Sequence, residues 1–154
     1  MKTNAVRLLD TLGINYQLLE YAVDPDNLAA ELAAEKVQRP LEQVFKTLVV
    51  RGDRYGICLA VIPSNTHLDL KALAQVTGDR KVETVPLKEV QPLTGYIRGG
   101  VTALACKKPY PVYLDEIAEI FDFICVSAGT RGMLIELSPL DYLRAVQGKL
   151  TGIS

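Results

Sequence analysis

Apolar residues recur at Ala5, Leu8, Leu9 and Leu12, the i, i+3, i+4, i+7 spacing of one helix face. Thr3 is placed to cap that helix and Gly13 to end it in the left-handed conformation. Residues 14–21 then read as a strand, and Asp24-Pro25-Asp26 as a turn. The Ala/Glu/Leu-rich run 27–37 predicts a helix, stopped by Arg39-Pro40. The strongest sheet signal follows: 43–50 and 55–62 are rich in β-branched and aromatic residues and flank a short turn at 51–54, which predicts a hairpin. After a loop over 63–67, Asp69 caps a short helix carrying Leu70, Leu73 and Ala74. A strand over 81–85 leads into a helix opened by Pro86 and running to about Gln91. Residues 94–111 read as loop, and 112–114, 123–126 and 133–137 as strands, the last two flanking the tight segment 127–132. Ser138-Pro139 starts a final helix bearing Leu140, Leu143 and Val146. No linker or internal repeat interrupts this series, so the pattern predicts one α+β domain over 1–154 with an antiparallel or mixed sheet.

The 154 residues carry 17 basic and 18 acidic side chains, a net charge of -1. That balance argues against a dedicated duplex-DNA binder, which carries a basic excess, and leaves room for a local basic patch. No apolar stretch approaches the roughly 20 residues that span a bilayer, so no membrane partner is expected. The segment 1–7 has no apolar core of the kind a secretory leader needs. Cys58, Cys106 and Cys125 are odd in number and form no CxxC pair, which predicts neither a disulfide framework nor a zinc site. A reducing cytoplasm and no metal or cofactor are the expectations.

Few residues look equipped for chemistry. Lys46 shares strand parity with Val44, Leu48 and Val50, an apolar setting in which an ammonium needs an anion, a polar pocket, or a route to solvent. Gly95, Gly99 and Gly100 permit close backbone approach to a ligand, and Lys107-Lys108 could meet phosphates; a flexible surface loop with a solvated Lys pair is the default reading of the same residues. No GxxxxGK[ST] motif is present. Ser127-Ala128-Gly129 at a strand end suits a binding pocket or a tight hairpin, and no GxSxG elbow surrounds Ser127. His67, the sole imidazole, reads as a surface loop residue, Cys58 and Cys125 as buried structural thiols, and Asp115, Glu116 and Glu119 as a solvated helix start. An enzyme built on these residues must rely on positioning, backbone donors and groups on its substrate.

The segments Lys2-Thr3-Asn4-Ala5-Val6-Arg7-Leu8-Leu9, Gln43-Val44-Phe45-Lys46-Thr47-Leu48-Val49, Leu68-Asp69-Leu70-Lys71, Thr94-Gly95-Tyr96-Ile97-Arg98-Gly99-Gly100, Lys107-Lys108 and Val126-Ser127-Ala128-Gly129-Thr130-Arg131-Gly132 occur in this order. Together they resemble the YbaK/EbsC group of Cys-tRNA(Pro) deacylases, relatives of the editing domain inserted in bacterial prolyl-tRNA synthetases. The resemblance implies a curled, barrel-like mixed sheet with surrounding helices and a pocket for the aminoacylated 3′ end of tRNA. It implies release of a wrongly attached amino acid, with the thiol of a cysteinyl substrate attacking its own ester carbonyl. Lys46 matches the lysine that anchors the terminal nucleotide and positions the ester. Gly99 and Gly100 match a substrate-positioning loop, Ser127 and Gly129 a pocket wall, and Tyr21 an aromatic at the mouth, with Thr47 beside Lys46 also expected to touch substrate. Arg98, Lys107, Lys108 and Arg131 are expected to meet tRNA phosphates. The expected partners are mischarged tRNA and prolyl-tRNA synthetase.

Three positions depart from the family pattern and bear on amino acid specificity. Ala103 stands where the positioning loop usually has Pro, Ala105 where Gly is usual, and Leu134 where the cysteine-specific type often has Asp. The lead expectation is therefore a free-standing aminoacyl-tRNA deacylase. A non-catalytic module binding a tRNA end or nucleotide in the same pocket is the alternative, and an enzyme using Lys46 as a Schiff-base amine is a third.

Overall fold

The computed structural model describes residues 2–154, so Met1 of the N-terminal segment lies outside the described residues. Helix α1 (Asn4–Leu12) buries Ala5, Val6 and Leu9. The Thr3 hydroxyl accepts from the Val6 N–H at 3.2 Å, and Gly13 ends the helix at φ 68°. Strand β1 (Gln17–Glu20), helix α2 (Ala30–Val37), and the hairpin β2 (Phe45–Gly52) and β3 (Gly56–Pro63) follow. Then come α3 (Leu70–Thr77), β4 (Val82–Thr84), α4 (Leu87–Thr94), β5 (Val112–Asp115), β6 (Ile124–Ser127), β7 (Met133–Leu137), α5 (Pro139–Val146) and β8 (Lys149–Thr151).

The strands make two sheets. One is three-stranded in the order β1-β7-β6, and the other five-stranded in the order β4-β2-β3-β5-β8. The first is antiparallel throughout. In the second, β2 runs antiparallel to β3 and β4, while β5 pairs in parallel with β3 and β8. A single parallel bridge, Val44 to Cys125, ties the sheets together. The result is a mixed α+β domain, and no closed barrel forms among the described residues.

The main core lies where the sheets and helices converge, with Leu59, Leu104, Leu114, Ile124, Ile135 and Tyr142 fully enclosed. A second cluster packs α3 on the opposite face of the five-stranded sheet through Leu73, Ala74, Val50 and Ile62. The alternation along β2 divides its side chains accordingly: Phe45 and Val49 enter the main core and Val50 the second cluster. Two details differ from the sequence reading. Strand β8 lies beyond the last element the sequence predicts, and it forms where β5 offers a parallel edge. Asp115, read as solvated, is 4% exposed, caps the 3-10 turn Glu116–Ile120 through the Ile117 N–H at 3.0 Å and accepts from the Ser154 hydroxyl.

Candidate functional site

A cavity of about 450 Å³ opens between the sheets, floored by the first half of β2 and walled by α2, α4 and the loops 96–101 and 127–134. Lys46, Thr47, Tyr21, Arg98, Gly99 and Ser127 all line it. The five-stranded sheet supplies Lys46 and Thr47, and β6 supplies Ser127. Tyr21 leaves β1 with its N–H on the Gly132 carbonyl at 2.9 Å, which holds it at the rim.

Lys46 is half-buried, and its Nζ donates to the Ser64 carbonyl oxygen at 3.2 Å. Ser64 is itself enclosed, its hydroxyl donating to the Leu41 carbonyl at 2.7 Å. No carboxylate pairs with Lys46 among the described residues. The ammonium therefore rests on one neutral acceptor, with its remaining donors available to a ligand. Among the residues lining the cavity, Glu31 is the sole carboxylate, and Lys46 and Arg98 are the cations.

The two glycine-bearing loops lock together. A Cβ on Gly100 would lie 3.1 Å from the Thr130 backbone, and the Arg131 Nε donates to the Arg98 carbonyl at 2.9 Å. Gly129 has φ +93°, and a Cβ there would sit 2.9 Å from the Tyr96 ring. Tyr96 in turn donates its hydroxyl to the Leu104 carbonyl at 2.6 Å. Gly100 and Gly129 thus lie behind the wall, at the contact between the loops, while Gly99 faces the cavity. Arg131 lines a small hollow beside the mouth, shared with Tyr21 and Gly99. Lys107 and Lys108 line neither; the Lys107 Nζ instead donates to the Pro92 carbonyl at 3.4 Å, at the end of α4. Ala103 is buried in the core, and Leu134 lines the cavity. Ala105 stands at φ 53°, a left-handed backbone that favours glycine.

Sequence reasoning missed α2 as a wall of the site and the clasp that seats it. Arg39, two residues past its end, donates from Nε to the Glu136 carboxylate at 2.6 Å. The guanidinium holds Glu136 below the usual glutamate range. The Cys125 thiol lies 3.6 Å from the same carboxylate, and burial first, then that charge, pushes it up to about 12. Burial likewise pushes Cys58 and Cys106 up to about 11. No thiol and no imidazole lines the cavity; His67 is exposed elsewhere, and the Ser127 hydroxyl accepts from the Gly129 N–H at 3.2 Å. The arrangement can hold an anionic or carbonyl-bearing ligand but presents no activated nucleophile of its own.

Comparison with known proteins gives a consistent picture. The family model described as the aminoacyl-tRNA editing domain matches residues 24–145. An Enterococcus faecalis protein named "Putative Cys-tRNA(Pro)/Cys-tRNA(Cys) deacylase EbsC" is 44% identical over 153 residues, covering 99% of this chain and 93% of that protein. An Escherichia coli protein named "Multifunctional Ser/Thr-tRNA deacylase ProXp-y" is 29% identical over 114 residues, covering 71% of this chain and 68% of that protein. A crystal structure described as that of "a putative trans-editing enzyme for prolyl tRNA synthetase" superposes with a TM-score of 0.85 at 25% identity, covering 100% of this chain and 98% of that one.

Proposed function

This chain belongs to the aminoacyl-tRNA editing domain family, and from that premise we propose that it is a free-standing deacylase that clears Cys-tRNA(Pro). The observation that carries the reading is Lys46, set in a cavity between two sheets that holds no thiol, no imidazole and no paired carboxylate. The Enterococcus faecalis relative, covered to 93% of its length, carries the name of a "Putative Cys-tRNA(Pro)/Cys-tRNA(Cys) deacylase", which supports the reading.

The chemistry follows from what the cavity lacks. In a cysteinyl ester, the substrate sulfur attacks its own carbonyl carbon. A carbon–sulfur bond forms, the ester carbon–oxygen bond breaks, and the terminal ribose oxygen leaves with the proton that the thiol gives up. Lys46 holds the terminal nucleotide and the ester so that sulfur and carbonyl meet, and its charge stabilises negative charge developing on oxygen. Tyr21, Val44 and Leu134 border the space open to the side chain. A thiol tolerates this largely apolar border better than the hydroxyl of serine, which loses hydrogen bonds to water on entry. The double-sieve logic fits: a synthetase cannot reject a similar-sized amino acid by binding alone, and a second small site releases it.

Gly99 and Ser127 contact the aminoacyl end, with Gly100 and Gly129 shaping the loops behind them. Arg98 and Arg131 reach phosphates at the mouth, and Lys107 and Lys108 meet tRNA farther along its acceptor end. Prolyl-tRNA synthetase hands over the mischarged tRNA, and the work takes place in the cytoplasm. One unit spanning 1–154, its sheets curled about the cavity, carries the whole activity.

The test is single-turnover deacylation of tRNA(Pro) charged with Cys, Ser or Ala, by the protein and its Lys46→Ala and His67→Ala variants, each checked for folding. Cys-tRNA(Pro) is released fastest. Lys46→Ala slows it by roughly 30- to 1000-fold, the loss of about 2–4 kcal/mol of charge-assisted stabilisation, and His67→Ala leaves it unchanged. Full activity in Lys46→Ala rules the reading out.

A further inference from the structure

We infer that the bare outer edge of β2 reads the Watson–Crick face of the terminal adenine. The inference rests on the deacylase reading and adds a base-recognition site to it. Along β2, alternate residues turn their backbone groups to opposite edges. The Ser64 N–H bonds the Val44 carbonyl on the β3 side, and the Val85 N–H bonds the Val49 carbonyl at 3.0 Å on the other. Phe45 and Thr47, of the same parity as Val49, therefore present their N–H and C=O groups to the outer edge. That edge is covered at its two ends only. β4 pairs with Val50 to Gly52, and β6 runs beside the start of the strand, paired to it at the Val44–Cys125 bridge. Thr47 falls between these two pairings and is matched to no strand residue on that edge.

The gap opens into the cavity, which is lined by every residue from Phe45 to Val49. A row of carbonyl, N–H and carbonyl along an extended strand presents acceptor, donor, acceptor. Adenine carries the complement on one edge: the N6 amino group donates, N1 accepts, and C2–H is a weak donor. In this arrangement the Phe45 carbonyl accepts from N6 and the Thr47 N–H donates to N1. The flat faces of the base need apolar cover, which Val85 and Val90 on one side of the strand and Leu48 on the other can provide. An unpaired strand edge inside a ligand cavity is otherwise a cost, because its polar groups lose water when the cavity fills.

The probe is a short RNA ending in CCA, with cysteine attached to the 3′ carbon through a stable amide, so that binding is read apart from chemistry. Its terminal adenosine is replaced in turn by 1-deazaadenosine, purine riboside and 7-deazaadenosine. Loss of N1 or of N6 raises Kd about tenfold, and loss of N7, which points away from the strand, leaves it unchanged. An ester in place of the Lys46–Thr47 amide, made by incorporating the α-hydroxy analogue of threonine, removes the N–H alone. It weakens natural probe about tenfold and the 1-deaza probe no further. Equal Kd for all four probes, or the same loss from the ester on natural and 1-deaza probes, overturns the inference; the probe comparison uses unaltered protein and stands even where the ester variant fails to fold. Absence of release from ester-linked tRNA while these binding differences persist defeats the deacylase reading alone.

Discussion

Tyr142 offers the sharpest test of how tightly the interior is built. Its ring is 0% exposed in the main core, and among the described residues its hydroxyl has no hydrogen-bond partner. A buried hydroxyl that gives up water without gaining a partner costs about 1–3 kcal/mol. Tyr142→Phe removes that oxygen and keeps the ring, so the packing of α5 is preserved. The variant is expected to be more stable by about 1 kcal/mol, a rise in Tm of roughly 2–4 °C for a domain of this size. Burial also drives the phenol pKa above its ordinary value of 10.0. A group whose ionisation is disfavoured in the folded state contributes stability below pH 10 that is lost as pH rises through and beyond it. Stability of the parent protein therefore falls above pH 10, and that of Tyr142→Phe falls less. Urea unfolding at pH 7 and pH 10.5, followed by circular dichroism, measures both effects. A variant destabilised by more than about 0.5 kcal/mol refutes the argument. It would mean the hydroxyl is satisfied after all, by an enclosed water or by the Thr47 hydroxyl, which faces it from β2.

Three further outcomes follow from features away from the cavity floor. Glu136→Gln breaks the charge pair with Arg39 and costs about 1–2 kcal/mol at pH 7; because Arg39 depresses the Glu136 pKa from its ordinary 4.5, the gap to the parent protein is full above pH 4.5 and closes as acid takes the pH through the lowered value, which urea unfolding across pH 3–7 records. Ala105→Gly relieves a left-handed alanine at φ 53° and raises stability by about 0.5–1 kcal/mol, read as a shift in urea midpoint. The three thiols, with pKa values of about 11, 11 and 12, stay protonated at pH 8, so iodoacetamide labels the native protein far more slowly than the urea-unfolded chain by mass spectrometry.

The order of elements was legible in the sequence because local signals carry it. The Thr3 and Gly13 caps, the β-branched runs around residues 51–54 and the Ser138-Pro139 start each act over a few residues, and each appears in the fold. Pairing was not legible. The parallel contacts of β5 with β3 and β8 join short segments far apart in the chain, and nothing in Lys149-Leu150-Thr151 marks it as a strand before that edge exists. At the site, Lys46 stood out because an ammonium on an apolar strand needs an acceptor, and the Ser64 carbonyl is one. The roles of Gly100 and Gly129 were less visible. Glycine beside a ligand and glycine beside another loop look alike until the Thr130 backbone and the Tyr96 ring are in place. The Arg39–Glu136 clasp joins residues 97 positions apart and leaves no local trace.

The seam between the sheets bears on how such a site can diversify. Lys46 and Thr47 belong to the five-stranded sheet, whereas Ser127 and Leu134 ride on the three-stranded one, and a lone bridge at Val44 connects the two. On the proposed reading, anchoring of the nucleotide and admission of the side chain are written on separate structural units. Substitutions on β6 or β7 can widen, narrow or polarise the amino acid slot while the lysine and the strand edge stay where they are. If the proposed roles hold, a lineage with this architecture can exchange the residue it rejects without rebuilding the strand that carries Lys46, with Leu134 among the cavity-lining positions free to change.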